Sequence, residues 1–323
     1  MARLRALICV AFLALAGCGG TSGGDRPNEE ASLLLDFTPN AVHAGIYVAT
    51  SRGYDDAEGV QLEVRAPGAS TDALRLLQAG RVDMAVLDIH DLALAREQGR
   101  DIVGVMAVVQ RPLAAVLAQP EVGRPRDLDG KRAGVSGLPS DVAVLRSVVQ
   151  GDGGDPDSVK TTTIGFEAVK ALLAKRVAAA TAFWNVEGVA LHAERPDTRE
   201  FRVDDYGAPP YPELVLCVTR STLDEKRPVL QATIRALRRG YGETQNDPES
   251  AVSALVEANP DLDRDAADAQ LDAVSPAFTA GADAYGQLRE DVLEKWAEWD
   301  RQFGIVKERI DVGSAFDRGL AAP

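Results

Sequence analysis

Cysteine is nearly absent from this chain of 323 residues. Three occur, at positions 9, 18 and 217, and two of them fall in the first 18 residues, so no disulfide framework can staple the body. Histidine is as rare. His43, His90 and His192 are scattered, without the spacing of a zinc site. No G-x-G-x-x-G and no G-x-x-x-x-G-K-[ST] is present, which removes the dinucleotide fingerprint and the P-loop. Gly134-Val135-Ser136-Gly137 stops one residue short of a nucleophile elbow. Asp261, Asp263 and Asp265 match the first positions of a calcium loop, but Ala266 stands where that loop needs Gly and Asp272 where it needs Glu. No metal and no cofactor are therefore expected. Positive charge is in deficit: 35 Lys and Arg face 49 Asp and Glu, for a net charge of −14. Such a chain is a poor partner for nucleic acid or an anionic lipid surface.

The remaining composition is that of a globular protein, with 46% apolar and 26% charged residues. Arg3 and Arg5 precede an apolar run over 6–16 that is too short to span a bilayer but suits the h-region of a signal peptide. The run ends in Leu15-Ala16-Gly17-Cys18, which resembles a bacterial lipobox. The expectation is an export signal over 1–17, a lipid on the Cys18 thiol, and a flexible Gly- and Ser-rich tether over 18–30. No later stretch reaches 18 apolar residues, so the only membrane contact expected is the lipid anchor on the outer surface.

Beyond the tether, strand-like and helical patterns alternate, which indicates an α/β fold. Strands are expected over 32–37, 59–66, 82–87 and 133–135, and helices over 71–79 and about 140–150, the latter with Ser140 as N-cap. From 221 to 302 the pattern is mainly helical, broken at Pro248, Pro260 and Pro276, and its many acids read as a solvated face. An internal repeat stands out at an offset of 95: ALRLLQAGRVDMA (73–85) aligns with AVKALLAKRVAAA (168–180). Both copies read as a helix running directly into a buried strand. They are either a coincidence of two Ala- and Leu-rich segments or the mark of two lobes of similar construction.

Several segments, in order, resemble the solute-binding proteins of ABC transporters that capture thiamine-pyrimidine precursors. These are Asp36-Phe37-Thr38-Pro39-Asn40, Gly45-Ile46-Tyr47-Val48-Ala49, Gly80-Arg81-Val82-Asp83-Met84-Ala85, Asp127-Leu128 with Gly130-Lys131-Arg132, and Pro212-Glu213-Leu214-Val215-Leu216. The helix, Gly-x-x-Asp and D-L-x-G-K parts are shared with sulfonate and nitrate binders, and the T-P-N opening narrows the likeness to the pyrimidine branch. The resemblance implies a two-lobed type II periplasmic-binding-protein fold with a ligand cleft between the lobes. Lobe 1 is expected from 31–118 and 213–323, and lobe 2 from 119–212. The implied protein is a monomer that captures a small heteroaromatic solute and hands it to the transmembrane subunits of an ABC permease. Alternative solutes are riboflavin or another vitamin, an aliphatic sulfonate or nitrate. The same family contains a single-turnover pyrimidine synthase that consumes its own histidine. His90 is kept here, but that enzyme's cysteine cluster and lysine are not.

In open α/β sheets ligands bind beyond the carboxyl ends of the strands. That rule selects Phe37, Thr38, Pro39, Asn40, His43 and Tyr47 after the first strand, then Asp88 and His90, and Gln110. In lobe 2 it selects Ser136, Gly137, Leu138 and Ser140, then Phe166, and Trp184, Asn185 and Glu187. Tyr206 and Tyr211 flank the return to lobe 1. Aromatic faces suit stacking on a heteroaromatic ring, and Asp88 and Glu187 suit its amino groups. The competing reading is core packing for Phe37, Tyr47 and Trp184, a helix cap for Asp88, a surface acid for Glu187, and satisfied structural histidines for His43 and His90. Trp296 and Trp299, three apart, read as helix packing.

Overall fold

The computed structural model describes residues 28–67 and 73–321. The export signal, Cys18 and most of the tether lie outside them. Among the described residues, ten strands form two five-stranded sheets. The first holds β1 (Glu29–Leu34), β2 (Val60–Arg65), β3 (Met84–Asp88), β4 (Ile102–Ala107) and β10 (Leu214–Thr219), in the order β2-β1-β3-β10-β4. The second holds β5 (Ala114–Ala118), β6 (Arg132–Val135), β7 (Lys160–Thr163), β8 (Ala179–Phe183) and β9 (Arg199–Arg202), in the order β7-β6-β8-β5-β9. β1 starts at Glu29, so the last two residues assigned to the tether are already paired, Glu29 opposite Val60 and Glu30 opposite Gln61.

The two sheets have the same plan. In each, the central strand lies parallel to one neighbour and antiparallel to a strand that enters from the other lobe: β3 with β1 and β10, β8 with β6 and β5. The repeated segments occupy equivalent places. Helix Ala73–Gln78 feeds β3 and helix Ala168–Leu173 feeds β8. The repeat in sequence is thus a repeat in architecture. β5 pairs with β8 and β9, so the chain changes sheets within 108–113 and the expected boundary after 118 falls too late. It returns within 203–213.

Both faces of the first sheet are covered, and residues on successive positions go to opposite sides because side chains alternate along a strand. Leu33, Leu35, Val86 and Leu216 join one core cluster with Ile46, Leu230 and Ile234. Leu34, Ala85, Leu87 and Val215 join the other with Leu92, Trp296 and Phe316. Helix Ala44–Ser51 crosses helix Arg220–Asn246 closely enough that a methyl on Gly240 would stand 2.1 Å from the Gly45 carbonyl oxygen. Gly45 in turn lies against the Tyr241 ring. The long helix carries Pro228 near its start and breaks at Lys226 (φ −115°, ψ 19°), as a proline inside a helix requires. Pro248 instead opens helix Pro248–Ala258 behind the Asp247 cap. Asp263 is the N-cap of helix Arg264–Val274, accepting the Ala266 N–H at 2.8 Å, which accounts for its place among the spaced aspartates. Ser140 is not a cap: helix Pro139–Gly151 begins one residue earlier, with Pro139 in its first turn.

Candidate functional site

The carboxyl ends of β1, β3, β6, β7 and β8 converge on one cleft between the sheets, with a cavity volume of about 150 Å³. A dry cavity of that size accommodates a single benzene ring, so the space suits a compact ligand. On the lobe 1 side Phe37 and Asn40 follow β1, and Asp88 ends β3 with His90 and Asp91 just beyond it. On the lobe 2 side Ser136, Leu138 and Ser140 follow β6, Phe166 follows β7, and Asn185 and Glu187 follow β8. These eleven include ten of the residues selected from sequence, together with Asp91. Phe37 and Phe166 face each other across the opening, ring centroids 5.9 Å apart at 60°, and Phe166 is 51% exposed.

The other selected residues do not line the cleft. Thr38 is exposed and its carbonyl accepts the Asn40 amide at 3.0 Å. Pro39 and Gly137 complete their turns outside the lining. His43 is fully buried. Its Nδ1 accepts the Asn40 N–H at 3.2 Å, so its Nε2 carries the proton donated to Asp36 Oδ1 at 2.8 Å. It is a structural histidine that orients Asp36, a cleft residue which sequence reasoning missed. Tyr47 packs in the core and reaches Asn259. Gln110 belongs to the crossover and donates to the Gln287 carbonyl at 2.8 Å. Trp184 donates to the Pro112 carbonyl at 3.0 Å, with the Arg202 guanidinium 4.0 Å over its ring. Tyr206 packs edge-on against Phe201. Tyr211 is fully buried, edge-on to His90. Of the six Phe, Tyr and Trp residues selected from sequence, Phe37 and Phe166 reach the cleft, and Phe183 supplies a further ring there.

Local structure explains these exchanges. The chain leaves β8 through a wide π turn, Trp184–Gly188, a geometry frequent at functional sites. The turn sends Trp184 into the crossover and leaves Asn185 and Glu187 on the cleft. Asn185 is 1% exposed, yet among the described residues its Oδ1 has no hydrogen-bond partner, and neither has Thr181 Oγ1 on β8. Two buried polar atoms on one cleft wall are thus free to pair with a solute. Ser136 is held from behind: its N–H and hydroxyl both donate to Asp141 Oδ2, the first at 2.7 Å.

The electrostatics are one-sided. Asp36, Asp88, Asp91, Asp141, Glu187 and Glu213 all line the cleft, and among the described residues no Lys or Arg does. Burial pushes the carboxyls of Asp88, Asp91, Glu187 and Glu213 above their ordinary range. His90 is the counter-charge. Burial alone would lower it, but Asp300, Asp88 and Glu213 outweigh that and raise it to about 10. Its Nδ1 lies 2.8 Å from Asp300 Oδ1. Asp300 is fully buried, an exception within a helical stretch read as a solvated face. Trp296 and Trp299, on the same helix (Glu290–Gln302), are buried and tilted against the His90 ring, as packing residues.

Two crossing segments joining paired α/β lobes around one cleft define a periplasmic-binding-protein fold. The periplasmic aliphatic sulphonate binding protein SsuA from Escherichia coli superposes with a TM-score of 0.72 over 91% of this chain and 99% of that one, at 14% identity. The chain belongs to the NMT1/THI5-like family, whose model matches residues 40–251. It is 34% identical over 253 residues to the formylaminopyrimidine-binding protein of Halalkalibacterium halodurans, covering 77% of each chain. It is 26% identical to a 4-amino-5-hydroxymethyl-2-methylpyrimidine phosphate synthase of Legionella pneumophila, over 88% of this chain and 90% of that one.

Proposed function

We propose that this protein is the solute-binding component of an ABC importer and captures an unphosphorylated aminopyrimidine of the thiamine-precursor type. In this reading it is exported, held on the outer face of the membrane by a lipid on Cys18, and acts as a monomer. The observation that carries the reading is a cleft with six carboxylates, no lysine or arginine among its described lining residues, and Phe37 and Phe166 at its mouth. Carboxylates accept hydrogen bonds from ring amino groups, and ring faces pack on ring faces. Sulfonate, nitrate and phosphate need the opposite lining, because anions are bound by Arg, Lys or helix N-termini. The similarity to a formylaminopyrimidine-binding protein supports the same ligand class. Solute contacting both walls favours the closed arrangement of the lobes.

A synthase reading fits this site less well. The product of such an enzyme carries a phosphate, and among the described residues the cleft lining offers it no Lys or Arg. Cys217 is buried in β10 and burial raises its thiol well above the ordinary range, so it supplies no thiolate.

Calorimetry on the detergent-solubilised full chain tests the assignment with 4-amino-5-hydroxymethyl-2-methylpyrimidine, its phosphate ester, taurine and nitrate. At an effective dielectric near 20, two like unit charges about 7 Å apart repel by about 2 kcal/mol. The phosphate ester is therefore expected to bind at least about 30-fold more weakly than the free pyrimidine. Equal or tighter binding of the ester, or binding of taurine or nitrate alone, would sink the assignment.

A further inference from the structure

Three side chains on the lobe 1 side and floor of the cleft each present one ligand atom to a common point. Asp88, His90 and Glu213 offer two carboxylate oxygens and a ring nitrogen that all lie within 4.8 Å of one another. In each residue the other polar atom is already held from behind. Asp88 Oδ1 accepts the His90 N–H at 2.7 Å. Glu213 Oε2 accepts the Leu113 and Ala114 N–H groups at 2.7 and 3.0 Å. His90 Nδ1 lies 2.8 Å from Asp300 Oδ1 and 3.3 Å from Trp296 Nε1, which donates to it. His90 Nε2 therefore points at Glu213 Oε1, 3.8 Å away, with the Tyr211 hydroxyl beside it at 3.3 Å. Glu213 is 1% exposed, and its Oε1 has no hydrogen-bond partner among the described residues. A buried charged oxygen left without a donor is costly, and a cation at this point would satisfy it.

We propose that Asp88, His90 and Glu213 form a binding site for a divalent first-row transition ion, with zinc as its representative. One imidazole nitrogen with two carboxylate oxygens is a donor set that such ions accept. The Asp300 carboxylate, 2.8 Å from the far ring nitrogen, stands where metal-binding histidines ordinarily have an outer partner. Trp296 and Trp299 pack against the same ring at centroid distances of 6.3 and 5.7 Å and hold it in place. All three ligands line the cleft, so the ion enters from there. Three protein ligands leave a fourth position open, and a nitrogen or oxygen of the captured solute can complete the shell. On binding, the ion takes the place of the Nε2 proton, which is released to solvent. The site does not depend on which solute the cleft takes.

The test is a calorimetric titration of the chelator-treated full chain with zinc chloride, with and without 4-amino-5-hydroxymethyl-2-methylpyrimidine. The expected result is one ion per chain, bound about 100-fold more weakly by Asp88→Asn and by Glu213→Gln. His192→Asn, which removes a histidine with 37% side-chain exposure on lobe 2, should leave the titration unchanged. Because Glu213→Gln also loosens the crossover, X-ray absorption on the zinc-loaded native protein provides a second readout: one imidazole nitrogen among oxygens. No stoichiometric uptake, a shell lacking imidazole, or dependence on His192 would overturn the proposal. Pyrimidine binding that persists without zinc uptake would overturn the ion site alone. Zinc uptake without pyrimidine binding would uphold it and overturn the solute assignment instead.

Discussion

Replacing Trp184 by Phe separates packing from solute contact at the residue where sequence and structure assign different roles. Trp184 is 2% exposed and its Nε1 donates to the Pro112 carbonyl at 3.0 Å. Phe keeps an aromatic face under Arg202 but loses the donor. An orphaned buried carbonyl costs roughly 1–3 kcal/mol. The smaller ring leaves space unfilled; complete truncation of a buried Trp costs about 3–5 kcal/mol, and the step to Phe is a fraction of that, taken as about 1 kcal/mol. The total is about 2–4 kcal/mol. For a chain of this size each kcal/mol moves the midpoint by about 2 °C, so the melting temperature should fall by about 4–8 °C. Because the indole faces the crossover, the pyrimidine dissociation constant should change by less than about 3-fold. Thermal unfolding and calorimetry on the same preparation decide the matter. A dissociation constant raised 10-fold or more, about 1.4 kcal/mol, with an unchanged melting temperature, would refute the placement of Trp184 outside the cleft.

Three further substitutions test other parts of the structure. Burial raises the Glu187 carboxyl, so its contribution to stability is present below the unfolded value of about 4.3 and is lost as pH rises through the higher folded value. Glu187→Gln should therefore make the empty protein more stable than wild type at pH 8, while weakening pyrimidine binding by calorimetry; lower stability at pH 8 would contradict this. Asp83 is the reverse case: burial opposes its ionisation, but Lys226 at 2.7 Å and the Ser32 N–H and hydroxyl at 2.9 and 2.8 Å lower it. Its contribution is present above about pH 3.9 and is lost as pH falls through the folded value below that, so Asp83→Asn should cost about 1–2 kcal/mol in urea unfolding at pH 7, with the gap closing on acidification; a gap independent of pH would count against the ion pair. Gly240→Ala sets helix propensity, worth about 1 kcal/mol in favour of Ala, against a methyl 2.1 Å from the Gly45 carbonyl oxygen; overpacking costs about 1–3 kcal/mol, so the variant should unfold at lower urea, and a gain in stability would show that the helices are not in this contact.

The features legible in the sequence were those written into short, contiguous patterns. The helix-to-strand repeat at 73–85 and 168–180 survives because each lobe must bury the same central strand against a helix. Gly80-Arg81-Val82-Asp83 is recognisable because the turn and its acid are adjacent, although the acid's partners, Ser32 and Lys226, are far away. The rule that ligands sit beyond strand ends located the cleft segments, since β1, β3, β6, β7 and β8 all stop there. Direction was harder to read. Phe37 and Tyr47 both follow β1, yet only the first turns outward, and the π turn after β8 reverses what alternation suggests for Trp184 and Asn185. What sequence could not carry is the meeting of residues from separate elements. Glu213 was visible as a motif letter, but its role depends on both crossovers coming together, where it caps Leu113 and Ala114 and faces His90. Asp300 looked like one more surface acid because fourteen other acids share its stretch from 242 to 300; only the docking of its helix beside His90 makes it a buried partner. Three scattered histidines seemed to exclude a metal on spacing alone. Spacing tests local ligand sets, whereas this one is assembled from a helix cap, the second residue of that helix and the end of a crossover 123 residues beyond it.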